Sequence, residues 1–442
     1  MKPEIFFLPY GEEEILYAPL IKFIAVVNKH AKNAVAKKLA GLPADISEEG
    51  VLDTLEKKGV FSEDVNAPEV ERDFCPTHVT LFPTDRCNLR CRYCYASAED
   101  GGNILPFETA RAAIDFISTN AKNKKMKSFS VGFHGNGEPF AAFNVIRECC
   151  EYIGDTAERT GMDYFISAAT NGVMKEEHLD FMLAWIKDVN VSFDILREIQ
   201  NKNRPSAGGG ETFDIVDNTL RRLNAASVQF GIRATITSET VGRMREMAIY
   251  VRENYPRCNL LHFEPVFEIG RALVMNETVP EAKIFINEYA RAQNELIDTS
   301  IRPVYSGARA ETICCSFCRV CANSFTVTAE GNVTSCYEIC TYRDDRAKRY
   351  IYGRYDKKTA GFIFDNETIE ELSKLTVTNI PFCRDCFAKW HCGGDCAAKA
   401  LGLKSPEEHA GSYRCVITRA LIYRQLLQKM GVDITEREPI LV

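Results

Sequence analysis

Short apolar runs alternate with amphipathic stretches over most of the chain. From residue 76 onward, six runs read as strands: HVTLFP, SFSVGFHG, YFISAATNG, VNVSFD, VQFGIRATIT and NLLHFEPV. Between them the apolar positions take helical spacing, in ETARAAIDFISTNA, NVIRECCEYIGDTAER, EEHLDFMLAWIK, FDIVDNTLRRLN and ETVGRMREMAIYVREN. A period of two marks a half-buried strand, and a period near 3.6 marks a helix with one buried face. Six βα units in series predict a parallel sheet curled into a full or partial barrel, because each helix returns the chain to the same end of the sheet. The reactive loops of such barrels lie at the C-terminal ends of the strands.

Two further regions flank this one. In residues 1–74, IFFLPYGEEEILYAP and IKFIAVVN alternate as strands, and KHAKNAVAKKLAG has helical spacing ended by Gly41. Ser47 is placed to cap a second helix, SEEGVLDTLEKKG, ended by Gly59. The charged, proline-bearing EDVNAPEVERD reads as a linker. Residues 301–442 carry little periodicity. SFTVTAEGNVTSCYE predicts a hairpin turning at Glu330-Gly331-Asn332, and VITRALIYRQLLQKMG predicts a late helix. The expected organisation is an α/β fold in three parts. Residues 1–74 form a small α+β unit, 75–300 a partial (β/α)6 TIM-like barrel, and 301–442 a cysteine-rich region held together by metal.

Composition narrows the class. A length of 442 residues suits two or three domains, and 45% hydrophobic with 26% charged residues suits a globular protein. Lys plus Arg number 54 against 61 Asp plus Glu, a net of −7. That balance implies no nucleic-acid and no membrane partner. The longest apolar run, IKFIAVV, is far short of a span, and acidic residues stand where a signal peptide needs basic ones. A cytoplasmic location is expected. Eighteen cysteines are unusual in such a chain, and they cluster: three lie at 87–94 and eleven at 314–415. Disulfide scaffolds are short and secreted, so these cysteines are expected to be reduced thiols that bind metal.

The first group, DRCNLRCRYCYA, has the spacing Cys87-x3-Cys91-x2-Cys94. Three thiolates at this spacing wrap one face of a [4Fe–4S] cluster and leave one iron open to a small molecule. The alternatives are a zinc site completed by a distant ligand, or three packed thiols. The motif follows the first barrel strand, and aromatic Tyr93 stands beside the third cysteine. In these respects the chain resembles the radical S-adenosylmethionine enzymes, whose signature CxxxCxφC is matched by Cys87, Cys91, Tyr93 and Cys94. The resemblance covers residues 78 to about 270. It implies S-adenosylmethionine chelated at the open iron, and its reductive cleavage to a hydrogen-abstracting 5′-deoxyadenosyl radical.

Other strand ends carry more of the same pattern. HGNGEPF resembles the family's GGEP-like motif, with Gly137, Glu138 and Pro139 matching and Asn136 replacing the first glycine. The resemblance implies that these residues hold the methionine ammonium. Thr170-Asn171-Gly172 resembles the TNG turn, and SFDILREIQNKNRP the SxDG…NRP segment, with Ile195 in place of glycine and Gln200 in place of histidine. Ser192 and Asp194 are then expected to face the cofactor's ribose or carboxylate. Arg233 on the fifth strand is expected either to pair with the methionine carboxylate or to form a structural ion pair. Glu264, Glu268 and His134 lie near strand ends, but the sequence singles out no catalytic acid or base.

The second group is Cys383-x2-Cys386-x5-Cys392-x3-Cys396 with Cys415 beyond it, preceded by Gly331-x4-Cys336 and by Cys314, Cys315, Cys318 and Cys321. Zinc ribbons favour two CxxC pairs, and this run has unequal gaps and a surplus of sulfur. It resembles the SPASM extension of peptide-modifying radical enzymes, Cx9–15Gx4C, CxxCx5CxxxC and a final C. The resemblance implies two auxiliary [4Fe–4S] clusters, and so three clusters in all. Cys383, Cys386, Cys392 and Cys415 would hold one. Cys336 and Cys396 would hold the other, with partners among Cys315, Cys318 and Cys321. Cys75, Cys149, Cys150, Cys258, Cys314 and Cys340 are expected to be packed thiols.

Residues 1–74 resemble the small winged peptide-recognition domain of ribosomal peptide maturation systems; the alternative is a structural cap on the barrel. The expected function is oxidative modification of a ribosomally made precursor peptide, installing a thioether or carbon–carbon crosslink. A one-electron donor such as flavodoxin or ferredoxin would serve it. Two alternatives are a sulfatase-type maturase that makes formylglycine and a multi-cluster electron carrier.

Overall fold

The computed structural model describes residues 4–62, 66–71, 73–98, 101–321 and 323–435. Residues 63–65 and 72 of the expected linker lie outside them. The chain opens with three antiparallel strands in the order β1 (Phe6–Tyr10), β2 (Glu13–Ala18), β3 (Phe23–Val27). Gly11, at φ +63°, makes the β1–β2 turn and splits the first apolar run into two strands. Helices Lys29–Leu39 and Ile46–Lys57 follow. The second is capped by Asp45, not Ser47. The Asp45 carboxylate accepts from the Glu48 N–H at 2.9 Å while Glu48 accepts from the Asp45 N–H at 2.9 Å, a reciprocal box that leaves Ser47 inside the helix. Leu16, Val27, Ala34, Val35, Leu52 and Leu55 form this unit's own core. Leu8, Ile15 and Tyr17, on the opposite face of the sheet, join the main core instead.

The expected six parallel strands are present in sequence order: β4 (His78–Leu81), β5 (Ser128–Phe133), β6 (Asp163–Thr170), β7 (Asp188–Ser192), β8 (Gln229–Ile236) and β9 (Leu260–Pro265). Helices Phe107–Asn123, Phe143–Thr160, Glu176–Trp185, Phe213–Ala225 and Met244–Asn254 connect them. A seventh parallel strand, β10 (Arg302–Val304), follows helix Ala282–Asn294 and pairs with β9. Three residues with a central proline carry no periodic signal, so the sequence does not announce it. On the other side, β11 (Thr326–Val327) pairs in parallel with β4. Beyond it, β12 (Asn332–Thr334), β13 (Ile351–Asp356) and β14 (Gly361–Phe364) are antiparallel. The predicted hairpin is β11–β12, with Asn332 already in the strand. The cysteine-rich region thus extends one eleven-stranded sheet.

Strand alternation separates two surfaces. Val79, Leu81, Val131, Ile166, Val189, Val191, Ile232 and Leu261 are fully buried in the main core with the helices. The other face is polar. His78 bonds Ser130 and Thr80, an added Cβ on Gly132 would touch Ser167, one on Gly231 would touch Asn190, and Arg233 faces Glu264. An apolar outside under helices and a polar inside is the arrangement of a barrel that admits a polar guest.

An aromatic group fastens the linker to both larger regions. Phe74, Phe116, Phe325, Tyr352, Phe362 and Phe364 meet at centroid distances of 5.0 to 6.5 Å. Phe325 is 1% exposed at its centre. Phe325→Ala is expected to cost about 3–5 kcal/mol and to lower the thermal midpoint, whereas Phe325→Leu should cost under about 1.5 kcal/mol. Equal midpoints for both variants, read by circular dichroism, would contradict this.

Candidate functional site

The loop after β4 carries Cys87, Cys91 and Cys94, and the next two strand-end loops are built around it. Gly137 is required there: a Cβ would stand 2.1 Å from the Arg86 carbonyl oxygen. The Glu138 N–H then donates to that same carbonyl at 2.8 Å. The buried Glu138 carboxylate accepts from Thr170 Oγ1 and the Asn171 N–H, each at 2.7 Å, and from the Phe140 N–H at 3.2 Å. Burial still pushes its pKa up to about 7. The Asn171 amide reaches back to Asn88 Oδ1 at 2.8 Å and to Cys87 Sγ at 3.8 Å. Asn136 Oδ1 accepts from the Cys340 thiol at 3.3 Å. Glu138 and Asn171 therefore lock three loops together, and Asn136 ties them to the C-terminal region.

Behind Cys91 lies a buried ion pair. Asp194 has no exposed surface. Its carboxylate accepts from Tyr93 Oη at 2.5 Å, Asn203 Nδ2 at 3.2 Å, Arg204 Nε at 3.3 Å and the Thr235 N–H at 3.3 Å. Arg204 in turn lies over the Tyr93 ring at 5.1 Å and points Nη1 at Cys91 Sγ, 4.0 Å away. Of the residues singled out beside the first cysteine motif, Tyr93 and Asp194 bond each other. Asp194 is consumed by four donors, and Tyr93 is a link between Asp194 and the Cys91 loop. Gln200, at the histidine position, accepts from the Asp194 N–H at 2.9 Å and donates to Thr212 at 3.0 Å. Ile195 takes φ +70°, the left-handed conformation that the replaced glycine would adopt freely. The NRP segment runs along the cysteine loop, its Asn203 and Pro205 carbonyls accepting from the Arg92 and Arg90 N–H groups.

In the polar interior, Ser192 stands beside Arg233 in the β7–β8 register. The Arg233 side chain is half exposed and 3.9 Å from Glu264. Glu264 is buried and accepts from the Ser306 N–H at 2.7 Å, with Arg414 Nη1 at 3.6 Å. Burial raises its pKa, but Arg233 and Arg414 overcome that and hold it below the usual range. Burial, aided by Arg233, pushes His134 and His262 down to about 4, so both are neutral at pH 7. Glu268 is exposed and accepts from the Val279 N–H.

The later cysteines fall into two groups. Cys415 lies close enough to Cys383, Cys386 and Cys392 to raise the pKa of each, and Cys386 adds to the rise at Cys383. Cys415 is in the first turn of helix Tyr413–Lys429. Asp395 connects the group to the barrel interior: its N–H reaches Cys392 Sγ at 3.2 Å and its carboxylate holds Arg414 at 2.8 Å. The second group contains Cys318, Cys336 and Cys396. Burial and the negative charge of the other two push Cys318 up to about 12. Cys321 neighbours Cys318 and also Cys315. Gly393 brings the two runs together, since a Cβ there would lie 2.2 Å from the Ser316 carbonyl carbon. Tyr95 lies near Cys94 of the first loop and near Cys336 and Cys340 of the C-terminal region.

Residues 81–249 match the radical SAM superfamily model. The chain carries a radical SAM domain. A cysteine-type anaerobic sulfatase-maturating enzyme of Clostridium perfringens is 25% identical over 331 residues, 70% of this chain and 85% of that one. An uncharacterized protein of Methanocaldococcus jannaschii is 30% identical over 176 residues, 39% of this chain and 58% of that one. Among solved structures, anSMEcpe with bound AdoMet superposes with a TM-score of 0.59 at 20% identity, covering 80% of this chain and 99% of that one. Streptococcus suis SuiB bound to S-adenosylmethionine superposes with a TM-score of 0.53 at 14% identity, covering 93% and 99%. These likenesses establish the fold. The SuiB match leaves about 31 of the 442 residues outside, so it extends into the N-terminal unit.

A radical SAM domain implies one [4Fe–4S] cluster and S-adenosylmethionine, and the residues present fit the cluster. Burial pushes Cys87 up to about 11 and Cys91 up to about 12, and each is raised further by neighbouring cysteines of the motif. Such a set holds thiolates only with cations among them. Among the described residues no three His, Cys, Asp or Glu side chains are gathered tightly enough to grip a single metal ion. Sequence reasoning missed Asn88 and Arg414 and gave Arg204 no role. The signals for the last two were present, in the NRP tripeptide and in the position next to Cys415. Asp194→Ala leaves the Arg204 guanidinium buried without its carboxylate, and the expected loss of stability is about 3–5 kcal/mol. Tyr93→Phe, which removes one hydrogen bond to a charged group, should cost about 1.5–3 kcal/mol. Denaturant unfolding measures both, and a smaller cost for Asp194→Ala than for Tyr93→Phe would contradict the ion pair's role.

Proposed function

We propose that this radical SAM enzyme modifies a ribosomally made precursor peptide oxidatively, forming a thioether or carbon–carbon crosslink. Two extra groups of gathered cysteines beside the polar barrel interior carry this reading. Cys383, Cys386, Cys392 and Cys415 are read as ligands of one auxiliary [4Fe–4S] cluster. Cys318, Cys336 and Cys396, with Cys321 as the nearest fourth sulfur, are read as ligands of the other. Clusters that accept electrons suit a net oxidation, and one-electron donors such as flavodoxin or ferredoxin suit the first site. Relatives point the same way: one solved structure is SuiB bound to precursor peptide SuiA, and another is anSMEcpe with AdoMet and the Cp18Cys peptide.

When bound at Cys87, Cys91 and Cys94, the cluster and S-adenosylmethionine supply the electron and the hydrogen-abstracting radical. This chain's own residues do the rest. Glu138 and Asn171 hold the cofactor-binding loops in register. Arg233, with Ser192 beside it, presents a half-exposed guanidinium to a carboxylate. Glu264, held ionised between Arg233 and Arg414, offers the interior an acceptor that cannot donate. Neutral His134 and His262 keep that space free of competing cations.

The N-terminal unit is read as the recognition element for a leader peptide. Among the described residues β3 pairs only with β2, whereas the Pro9 carbonyl on β1 accepts from Tyr423 Oη of the C-terminal helix at 2.5 Å. The β3 side is therefore the edge open to an added strand. A cavity of about 1270 Å³ lies between the linker residues and Cys315 and Cys321, ample for a segment of peptide. A second reading, conversion of a cysteine to formylglycine, is favoured by the 25% identity to the sulfatase-maturating enzyme. The two readings share a peptide substrate and a two-electron oxidation and differ in product: a crosslink removes two hydrogen atoms only, whereas formylglycine formation removes two hydrogen atoms and also exchanges the cysteine sulfur, released as sulfide, for oxygen from water. Mass spectrometry of the product decides between them.

Reconstituted protein is expected to hold about twelve irons, four per cluster. Reduction in the presence of S-adenosylmethionine should release 5′-deoxyadenosine, and Cys91→Ala should abolish that release. Four or fewer irons would refute the auxiliary clusters, and continued release from Cys91→Ala would refute the site. Val26 is exposed on β3. Val26→Asp is expected to weaken leader-peptide binding about tenfold, or about 1.4 kcal/mol, by fluorescence anisotropy. An unchanged affinity would place the leader elsewhere.

A further inference from the structure

Between Cys386 and Cys392, three consecutive side chains reach the N-terminal unit. Lys389, Trp390 and His391 are all buried. Glu4, just ahead of β1, takes the Lys389 ammonium on Oε1 and the Trp390 indole N–H on Oε2, each at 2.5 Å. Tyr17, on β2, stacks on His391 with centroids 6.0 Å apart and bonds its Nε2. The direction of that bond follows from the other ring nitrogen, which lies 2.8 Å from the Thr312 carbonyl. A carbonyl only accepts, so Nδ1 carries the proton and Nε2 accepts from the Tyr17 hydroxyl. Trp390 also packs with Val377, Ile380 and Cys383, and with Leu20 of the N-terminal unit. From the far side, Arg309 donates to the carbonyls of His391 and Cys392.

A buried ammonium and a buried indole N–H each need a partner, and one carboxylate from the other end of the sequence serves both. Simple docking of a recognition unit does not call for polar contacts of this kind inside a cysteine spacer. We propose that Glu4 and Tyr17 are positioning residues of the Cys383, Cys386, Cys392 and Cys415 site, with the N-terminal unit as its outer wall. The proposal rests on the reading that these cysteines hold an iron–sulfur cluster. Lys389 is a cation that acts on Cys383 and Cys386. Glu4 offsets its charge. Without that carboxylate, the ammonium favours the reduced and more negative state of the neighbouring cluster.

The test uses the full-length reconstituted protein, its Glu4→Gln, Tyr17→Phe and Glu4→Asp variants, iron analysis, and redox titration followed by electron paramagnetic resonance. In Glu4→Gln, the midpoint potential of one auxiliary cluster should move positive. At the wild-type midpoint its reduced-to-oxidised ratio should rise about threefold or more, while the cluster of the radical SAM motif keeps its potential. Tyr17→Phe should alter the line shape of the same auxiliary cluster, and Glu4→Asp should restore part of the potential. Wild-type midpoints and line shapes in both Glu4→Gln and Tyr17→Phe overturn the proposal. If Glu4→Gln does not fold, wild-type behaviour of both Tyr17→Phe and Glu4→Asp overturns it. Four or fewer irons in the wild type overturn the cluster reading itself, and this shows before any variant is made.

Discussion

Thiolates cannot be gathered under protein cover unless positive charge sits among them. Burial alone raises a thiol's pKa, and each neighbouring thiolate raises it further. Cys87 and Cys91 in the first loop, and Cys318, Cys336 and Cys383 in the C-terminal region, are all pushed well above the ordinary thiol range by these two causes together. An apolar core would place isolated cysteines, as this one does with Cys149, Cys150 and Cys258, each fully buried. It would not place sulfur beside sulfur at three points, with glycines cleared so that backbones can approach. Gly137 against Arg86 and Gly393 against Ser316 are positions where even a methyl group would collide. Both bring a cysteine-bearing run against its partner.

The sheet turns this local chemistry into one site. Its apolar face is spent on the helices, which leaves a polar interior that ends at the first cysteine loop. Because β11 adds to β4, the C-terminal cysteines are carried by the same sheet as the radical SAM motif. The junction is tight. Cys340 bonds Asn136 of the strand-end loop, Tyr95 lies near both Cys94 and Cys336, and Glu264 links Arg233 of the interior to Arg414 beside Cys415. The polar interior therefore borders both the radical SAM motif and the C-terminal cysteine region.

Much of this was legible in the sequence, because periodicity reports burial and spacing reports ligation. Six strands and the helices between them follow from alternation alone, and the grouping of Cys383, Cys386, Cys392 and Cys415 follows from their resemblance to the SPASM extension. What escaped notice has physical reasons. β10 is too short to show a period. β13 and β14 carry their aromatic residues toward the linker, in a region whose apolar pattern the cysteines interrupt. Alternation says which way the Asp194 side chain leaves its strand, not that Tyr93, Asn203 and Arg204 will bond it. The surplus upstream of Gly331 is narrowed for the same kind of reason. Spacing admits Cys315, Cys318 and Cys321 equally, and in the structure Cys318 lies beside Cys336 and Cys396, with Cys321 next to Cys318.

The N-terminal unit shows how far a modular description holds. It has its own hydrophobic core and an open strand edge, as a separable recognition unit would. Yet the face opposite that core is not a free surface. Leu8, Ile15 and Tyr17 belong to the main core, and Glu4 forms a salt bridge with buried Lys389. Removing the unit would expose an apolar sheet-facing surface and strand an ammonium inside the Cys386–Cys392 spacer. Loss of peptide modification on truncation would therefore not by itself identify a leader-binding role. A change confined to the outer edge of β3 isolates recognition, because that edge touches none of the contacts that hold the cysteine spacer.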